Sequence, residues 1–132
     1  MPFIGELQYK KIEGKMSVFG RQVYKLTKPF EYMIGVDRGY NPYFTIKCEE
    51  GFETDFASIP WFIFFLNPKN GRWKSASVIH DKACKMADKK ILTFKTADSI
   101  FYYAMLDDGS FKFVARFFYF WVRAHHLVSR KG

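Results

Sequence analysis

The sequence predicts an α+β fold in which a small N-terminal antiparallel sheet is followed by three helices. Before about residue 70, apolar and polar residues alternate between turn-forming residues, which is typical of strands with one buried face. From residue 75 onward, apolar residues recur at steps of three and four, the spacing of amphipathic helices. We expect a single domain over 1–132, strand-rich over 1–50, with a motif loop over 51–74 and helices over 75–128.

Short alternating runs predict the strands. Leu7 and Tyr9 alternate with polar residues, and Glu13-Gly14 predicts a turn before a second run that ends near Lys25. The runs over 30–34 and 44–48 keep the period of two, with a loop predicted between them over 37–42. Together these runs favour one small antiparallel sheet.

Three helices are predicted in the second half. The first begins near Ser75, with Ser75 or Ser77 as its N-cap, and a second begins after Thr93 and ends at Asp107-Asp108-Gly109. The third covers about 110–128 and carries a narrow polar stripe in an otherwise aromatic segment. We interpret it as a core helix between sheet and helical hairpin, or as a membrane or subunit contact. The stripe contains Lys112, Arg116, Tyr119, Arg123, His126 and Arg130.

Composition and charge restrict the function classes. The chain has 132 residues, 20% of them aromatic, and a formal net charge of +8. Its lysines are scattered and no nucleic-acid-binding motif accompanies them, so we expect at most weak nonspecific contact with nucleic acid or a membrane surface. Glu6 precedes any long apolar run, so no secretory signal is expected. The most apolar stretch, 111–128, is interrupted by Lys112, Arg116 and Arg123, so no transmembrane helix is expected and the protein is predicted to be soluble.

The two cysteines predict no cross-link. Cys48 and Cys84 show neither a C-x-x-C motif nor a Cys/His ligand spacing, so we expect no disulfide framework and no structural zinc site. A reducing compartment is the default expectation.

Two polar residues occupy apolar helix faces. His80 lies at the helical spacing of Ala76, Ala83, Cys84 and Ala87. Asp98 lies on the stripe of the second helix that carries Phe101. Because a buried imidazole or carboxylate needs a partner, we predict that Asp98 pairs with His80. Such a pair prepares His80 as a general base, forms part of a metal site, or is a structural hydrogen bond.

A polar motif joins the strands to the helices. In the segment from Gly51 to Pro60, polar Thr54, Asp55 and Ser58 are interleaved with apolar residues. These side chains either form a rigid turn or belong to a site.

Three blocks of this sequence resemble a known family. They are the segment 51–60, then Val78-Ile79-His80-Asp81, then the run from Ala97 to Phe101. In this order they are similar to the phage and bacterial proteins catalogued as domain of unknown function 1353. Two departures are Glu49-Glu50 in place of the usual Val-Pro and Lys82-Ala83-Cys84 where an aromatic residue is usual. The resemblance implies a phage or prophage origin, and therefore a place in the cytoplasm of the infected bacterial host or in the virion, but no reaction.

Hydrolysis is the chemistry that these polar residues suggest. His80, Asp98 and Asp55 are the candidate catalytic residues, while Thr54, Ser58 and Arg123 are candidates for substrate binding. The His80-Asp81 step resembles the His-Asp pair of secreted phospholipases, without their glycine-rich calcium loop. Ser58 lacks the G-x-S-x-G surroundings of a serine nucleophile.

A divalent metal ion and a noncatalytic role are the open alternatives. Asp81, Asp55 and His80 are the candidate metal ligands. In the noncatalytic alternative, a phage accessory or tail-associated virion protein, the polar cluster is structural and the aromatic surfaces bind other phage proteins or a second copy of the chain.

Overall fold

The α+β class predicted from the sequence is confirmed by the computed structural model, which describes residues 3–17, 20–34, 44–56, 58–59 and 72–129. The loop predicted over 37–42 lies outside these residues, as do Ala57 and Pro60 of the 51–60 motif and Arg130 of the polar stripe. The chain divides into two compact units, 1–57 and 58–132. The boundary falls inside the predicted motif loop, and the single-domain expectation stays a prediction.

The described residues of the first unit form two three-stranded antiparallel sheets, where the sequence suggested one. One sheet has the order β1 (Phe3–Ile4), β4 (Phe30–Ile34), β5 (Phe44–Cys48). The other has the order β2 (Tyr9–Met16), β3 (Gln22–Leu26), β6 (Glu53–Thr54). In the first sheet, buried Tyr32 is opposite buried Ile46, as the alternation of apolar residues requires.

The predicted turn at Glu13-Gly14 is wrong. These residues lie within β2, where the register with β3 shifts between Lys11 and Met16 and Gly14 has a φ of 73°. An irregularity in strand pairing uses a glycine with positive φ just as a turn does. The chain reverses later, where Ser17 N–H donates to Arg21 O and Gly20 N–H donates to Ser17 O.

The motif loop contributes β6, which the sequence did not predict. Thr54 pairs with Tyr24 of β3, and its hydroxyl accepts a hydrogen bond from the Phe56 backbone N–H at 3.2 Å. Phe56 is fully buried between Tyr9 and Tyr24 although its φ of 55° is unusual for an aromatic residue. Packing of the ring therefore stabilises a backbone conformation that the residue alone disfavours.

Over 72–129, the second unit forms three helices, α1 (Arg72–Asp88), α2 (Phe94–Asp107) and α3 (Lys112–Val128). The predicted start of α1 is wrong because the helix begins three residues earlier, so that Ser75 and Ser77 lie inside it and neither is an N-cap. The other predicted boundaries hold: Thr93 caps α2 through its hydroxyl, and Gly109 follows α2 with a φ of 94°.

The interface between the helices is apolar and aromatic. Phe101 of α2 stacks on the His80 ring at 4.7 Å between centroids and lies 6.2 Å from Phe118 of α3, which also contacts Trp73. On α3, Ala115, Phe118 and Val122 are buried. No helix within the described part of the chain is long and apolar enough to cross a bilayer.

The opposite face of α3 is exposed, so the interpretation of α3 as a helix enclosed on all sides is wrong. Phe113 and Phe120 are 71% and 65% exposed. Two members of the predicted polar stripe, Arg123 and His126, instead lie half-buried beside Asp98. An amphipathic helix normally exposes its polar side chains. Here two of them are half-buried because they form hydrogen bonds with the buried carboxylate of Asp98.

The N-cap of α2 generates a stability prediction. Thr93 Oγ1 accepts a hydrogen bond from Thr96 N–H at 3.0 Å, so Thr93→Ala should lower the free energy of unfolding by about 1 kcal/mol. Urea unfolding measures this loss. Thr93→Ser keeps the hydroxyl and is the matched control; an equal loss in both variants would show that the cap contributes nothing.

Candidate acid–base site

Asp98 is the centre of a polar cluster built from three helices. Its side chain is completely buried, and both carboxylate oxygens are hydrogen-bonded. His80 Nε2 of α1 lies 2.7 Å from Oδ1, while His126 Nδ1 and Arg123 Nη1 of α3 lie 2.7 and 2.9 Å from Oδ2. The hydrogen bond predicted between His80 and Asp98 is thus present, and two further donors complete the carboxylate.

The charge of Asp98 follows from these contacts. Burial raises the pKa of the Asp98 carboxyl, but hydrogen bonds from His126 and His80 and the positive charge they carry when protonated outweigh burial and bring the pKa to about 2. The group is therefore an ionised carboxylate near neutral pH. An ionised carboxylate only accepts hydrogen bonds, so His80 Nε2 and His126 Nδ1 each carry a proton and donate it to Asp98.

His80 is a neutral imidazole with a defined tautomer. Burial lowers the pKa of His80 below its ordinary value of 6.5, and the hydrogen bond to Asp98 offsets only part of this effect. With its proton on Nε2, the neutral ring has an unprotonated Nδ1. Ser58 Oγ lies 2.5 Å from this nitrogen, so the Ser58 hydroxyl donates to His80.

Ser58, His80 and Asp98 therefore form one hydrogen-bonded chain from hydroxyl to carboxylate. Their residue exposures are 8%, 2% and 0%, so the serine end is the most accessible. This is the connectivity of a nucleophile, a general base and an orienting acid. The sequence identified all three residues but predicted only the contact between the last two.

Cys84, predicted on the same helix face as His80, and His126, predicted in the polar stripe of α3, also belong to the cluster, although neither was predicted as a site residue. Cys84 Sγ lies 3.4 Å from His80 Nε2 and 3.9 Å from His126 Nε2. The spacing of His80 and Cys84, four residues apart on one helix, was a usable signal because such residues share a face. The partners of Arg123 and His126 were not readable, since they lie on another helix.

The other predicted site residues are Thr54, Asp55 and Asp81. Thr54 and Asp55 belong to the first unit, where Thr54 is buried and Asp55 half-buried. Asp81 is half-buried on α1. Among the described residues, the group whose donor atoms lie close enough for one metal ion is His80, Cys84 and Asp98, and it does not include Asp81. The roles assigned to Thr54, Asp55 and Asp81 stay predictions.

The described residues thus define an α+β protein in which Ser58, from a turn, and His80 and Asp98, from two helices, form a buried Ser–His–Asp chain. The family model described as protein of unknown function (DUF1353) matches residues 24–122, well over half of the sequence. The chain belongs to this family. Neither the curated proteins nor the solved structures contain a match.

Removing the Asp98 carboxylate should strongly destabilise the protein. Asp98→Ala leaves three hydrogen-bond donors from two helices without their acceptor, and loss of one partner from a buried ionic cluster costs on the order of 3 kcal/mol or more. Urea unfolding measures the loss. Asp88→Ala, at an exposed position on α1, is the control and should change stability by about 0.5 kcal/mol at most; similar values for the two variants would contradict the central position of Asp98.

The cluster also predicts acid sensitivity. His80 and Asp98 both have lowered pKa values in the folded protein, so the unfolded chain binds protons first and stability falls as the pH falls. Protonation of His80 begins to lower the free energy of unfolding below about pH 6.5. Protonation of Asp98 lowers it by about 2 kcal/mol more between about pH 4 and pH 2.

Urea unfolding of chelator-treated protein across this pH range measures the effect. Asp98→Asn removes the carboxyl titration and should flatten the curve between about pH 4 and pH 2. A wild-type stability that rises on acidification would exclude the assigned protonation states.

Proposed function

We propose that this chain is a hydrolase in which neutral His80 acts as the general base for the Ser58 hydroxyl. The observation that carries the proposal is the continuous chain Ser58 Oγ to His80 Nδ1 and His80 Nε2 to Asp98 Oδ1, at 2.5 and 2.7 Å. A general base must lie within hydrogen-bond distance of the proton it removes, and Nδ1 meets this condition.

The proposed chemistry is acyl transfer to the Ser58 oxygen. As Oγ attacks the carbonyl carbon of an ester, its proton passes to His80 Nδ1, and the carboxylate of Asp98 stabilises the resulting imidazolium. His80 then donates this proton to the leaving alcohol. A water molecule, deprotonated by the same nitrogen, releases the acid and restores the serine. Phospholipid esters are one substrate class that the His80-Asp81 resemblance suggests.

The environment of Asp98 supports its role as the positioning residue. Arg123 donates to the oxygen that His80 does not use, so the carboxylate is oriented and stays ionised. Phe101 stacks on the imidazole at 4.7 Å and fixes the plane of the ring. Arg123, predicted as a substrate contact, is on this proposal a support for Asp98.

The origin of the protein is part of the same proposal. The three motif blocks suggest a phage gene, with the product acting in the cytoplasm of the infected bacterial host or carried in the virion.

A serine-directed probe tests the hydrolase without knowledge of its substrate. A fluorophosphonate should label the wild-type protein once, at Ser58, because only a serine activated by a base reacts readily. Ser58→Ala and His80→Gln should both lose the label, and hydrolysis of p-nitrophenyl butyrate should fall on the order of 10³-fold with either change. Intact mass and peptide mapping locate the adduct.

Ser99→Ala is the matched control, because Ser99 Oγ on α2 donates to the Lys95 carbonyl and not to a histidine. It should keep both labelling and hydrolysis. Circular dichroism checks that each variant is folded. Failure of folded wild-type protein to label, or labelling that survives Ser58→Ala, would disprove the nucleophile.

A noncatalytic protein is the second candidate, and two observations favour it. Three donors occupy both oxygens of the Asp98 carboxylate, as expected of a structural lock between helices. In addition, α3 exposes Phe113, Phe117 and Phe120 beside a groove of about 290 Å³ between α2 and α3, a surface suited to another phage protein or a second copy. Absence of labelling, combined with the predicted destabilisation by Asp98→Ala, would favour this candidate.

A further inference from the structure

The sulfur of Cys84 lies between two imidazole nitrogens. Helix α1 places Cys84 one turn after His80, and α3 brings His126 to the same point. Cys84 Sγ is 3.4 Å from His80 Nε2 and 3.9 Å from His126 Nε2. The donor atoms of His80, Cys84 and Asp98 all lie within 4.8 Å of one another. Cys84 and His126 have no part in the proposed hydrolysis.

These separations match those between the ligands of a tetrahedral zinc ion. With Zn–S near 2.3 Å and Zn–N near 2.1 Å, tetrahedral angles place sulfur and nitrogen roughly 3.5 Å apart. The two observed sulfur–nitrogen distances lie on either side of this value. His80, Cys84 and Asp98 already have donor atoms close enough for one ion, and His126 Nε2, 3.9 Å from the sulfur, would move toward that group to become the fourth ligand.

The other nitrogen of each imidazole already has an oxygen partner. His126 donates from Nδ1 to Asp98 Oδ2, and its Nε2 lies 3.9 Å from the sulfur. His80 Nδ1 faces Ser58 Oγ. Metal-binding histidines usually donate their second N–H to such an oxygen, which orients the ring. The cluster therefore provides the outer contacts of a metal site as well as the ligands.

We propose that Cys84 Sγ, His80 Nε2, His126 Nε2 and Asp98 Oδ1 bind one zinc-class divalent ion. The thiol proton is released to solvent, and the His80 proton moves from Nε2 to Nδ1, from which it is donated to Ser58 Oγ. The ion then takes the place of that proton between His80 and Asp98. A thiolate with two imidazoles selects zinc over magnesium or calcium, which prefer oxygen ligands.

This proposal is independent of the hydrolase, although both use His80. A metal on Nε2 keeps a proton on Nδ1, so the metal-bound form cannot accept the Ser58 proton. Metal binding and general-base catalysis are alternative states of one imidazole.

Cobalt(II) provides a direct test on the full chain. Added to chelator-treated wild-type protein, one equivalent should produce the intense visible bands of tetrahedral cobalt and a thiolate-to-cobalt charge-transfer band in the near ultraviolet. One equivalent of zinc should abolish both. Cys84→Ser should remove the charge-transfer band, and His126→Ala should weaken cobalt binding tenfold or more.

Cys48→Ser is the matched control, because Cys48 lies on β5 in the other unit, and this variant should bind cobalt as the wild type does. Ser58→Ala should keep the charge-transfer band but bind cobalt on the order of 10-fold more weakly, because His80 Nδ1 loses the oxygen to which it donates; a band in a variant that cannot form the acyl-enzyme separates this test from that of the hydrolase. Two results would overturn the site. The folded wild-type protein could show no more than the weak absorption of octahedral cobalt, or the charge-transfer band could survive Cys84→Ser.

Discussion

An ionised carboxylate without contact to water is the constraint on which the second unit depends. Burial of a charge is costly unless it is paired and hydrogen-bonded, and Asp98 receives donors from both helices that flank its own. His80 comes from α1, while Arg123 and His126 come from α3. The helices therefore share a polar contact that fixes their mutual register, which aromatic packing alone, being nondirectional, specifies less sharply.

The same carboxylate determines the chemistry of its neighbours. Because Asp98 only accepts hydrogen bonds, it holds the His80 proton on Nε2 and leaves Nδ1 basic toward Ser58. A buried, neutral imidazole near neutral pH suits proton transfer and metal ligation equally well. The Ser58 hydroxyl lies beside Nδ1 of His80 and the Cys84 thiol beside Nε2. The hydroxyl suits the imidazole to general-base catalysis and the thiol suits it to metal binding.

Local sequence patterns predicted the helices, most of the strands and the two central residues of the site, His80 and Asp98. They did not predict most of the contacts between these elements. His80 and Asp98 stood out because a polar residue interrupted an apolar helical stripe, and Thr93 because a capping residue preceded one. Arg123 was predicted as a substrate contact and His126 as part of a polar stripe, since their common partner Asp98 lies on another helix. The turn assigned to Glu13-Gly14 failed because glycine with positive φ serves a strand irregularity as well as a turn. The start of α1 was misplaced because serines tolerate helix interiors despite their preference for caps.

The attachment of α3 to Asp98 has a consequence for the outer surface. Arg123 and His126 are one turn apart and reach the same oxygen, so they fix the rotation of α3 about its axis. The phenylalanines on the opposite face therefore stay exposed, although removing their apolar surface from water would be favourable. Protonation of the Asp98 carboxyl would allow α3 to rotate about its axis. Aggregation in acid would then report on the charge of this one buried group.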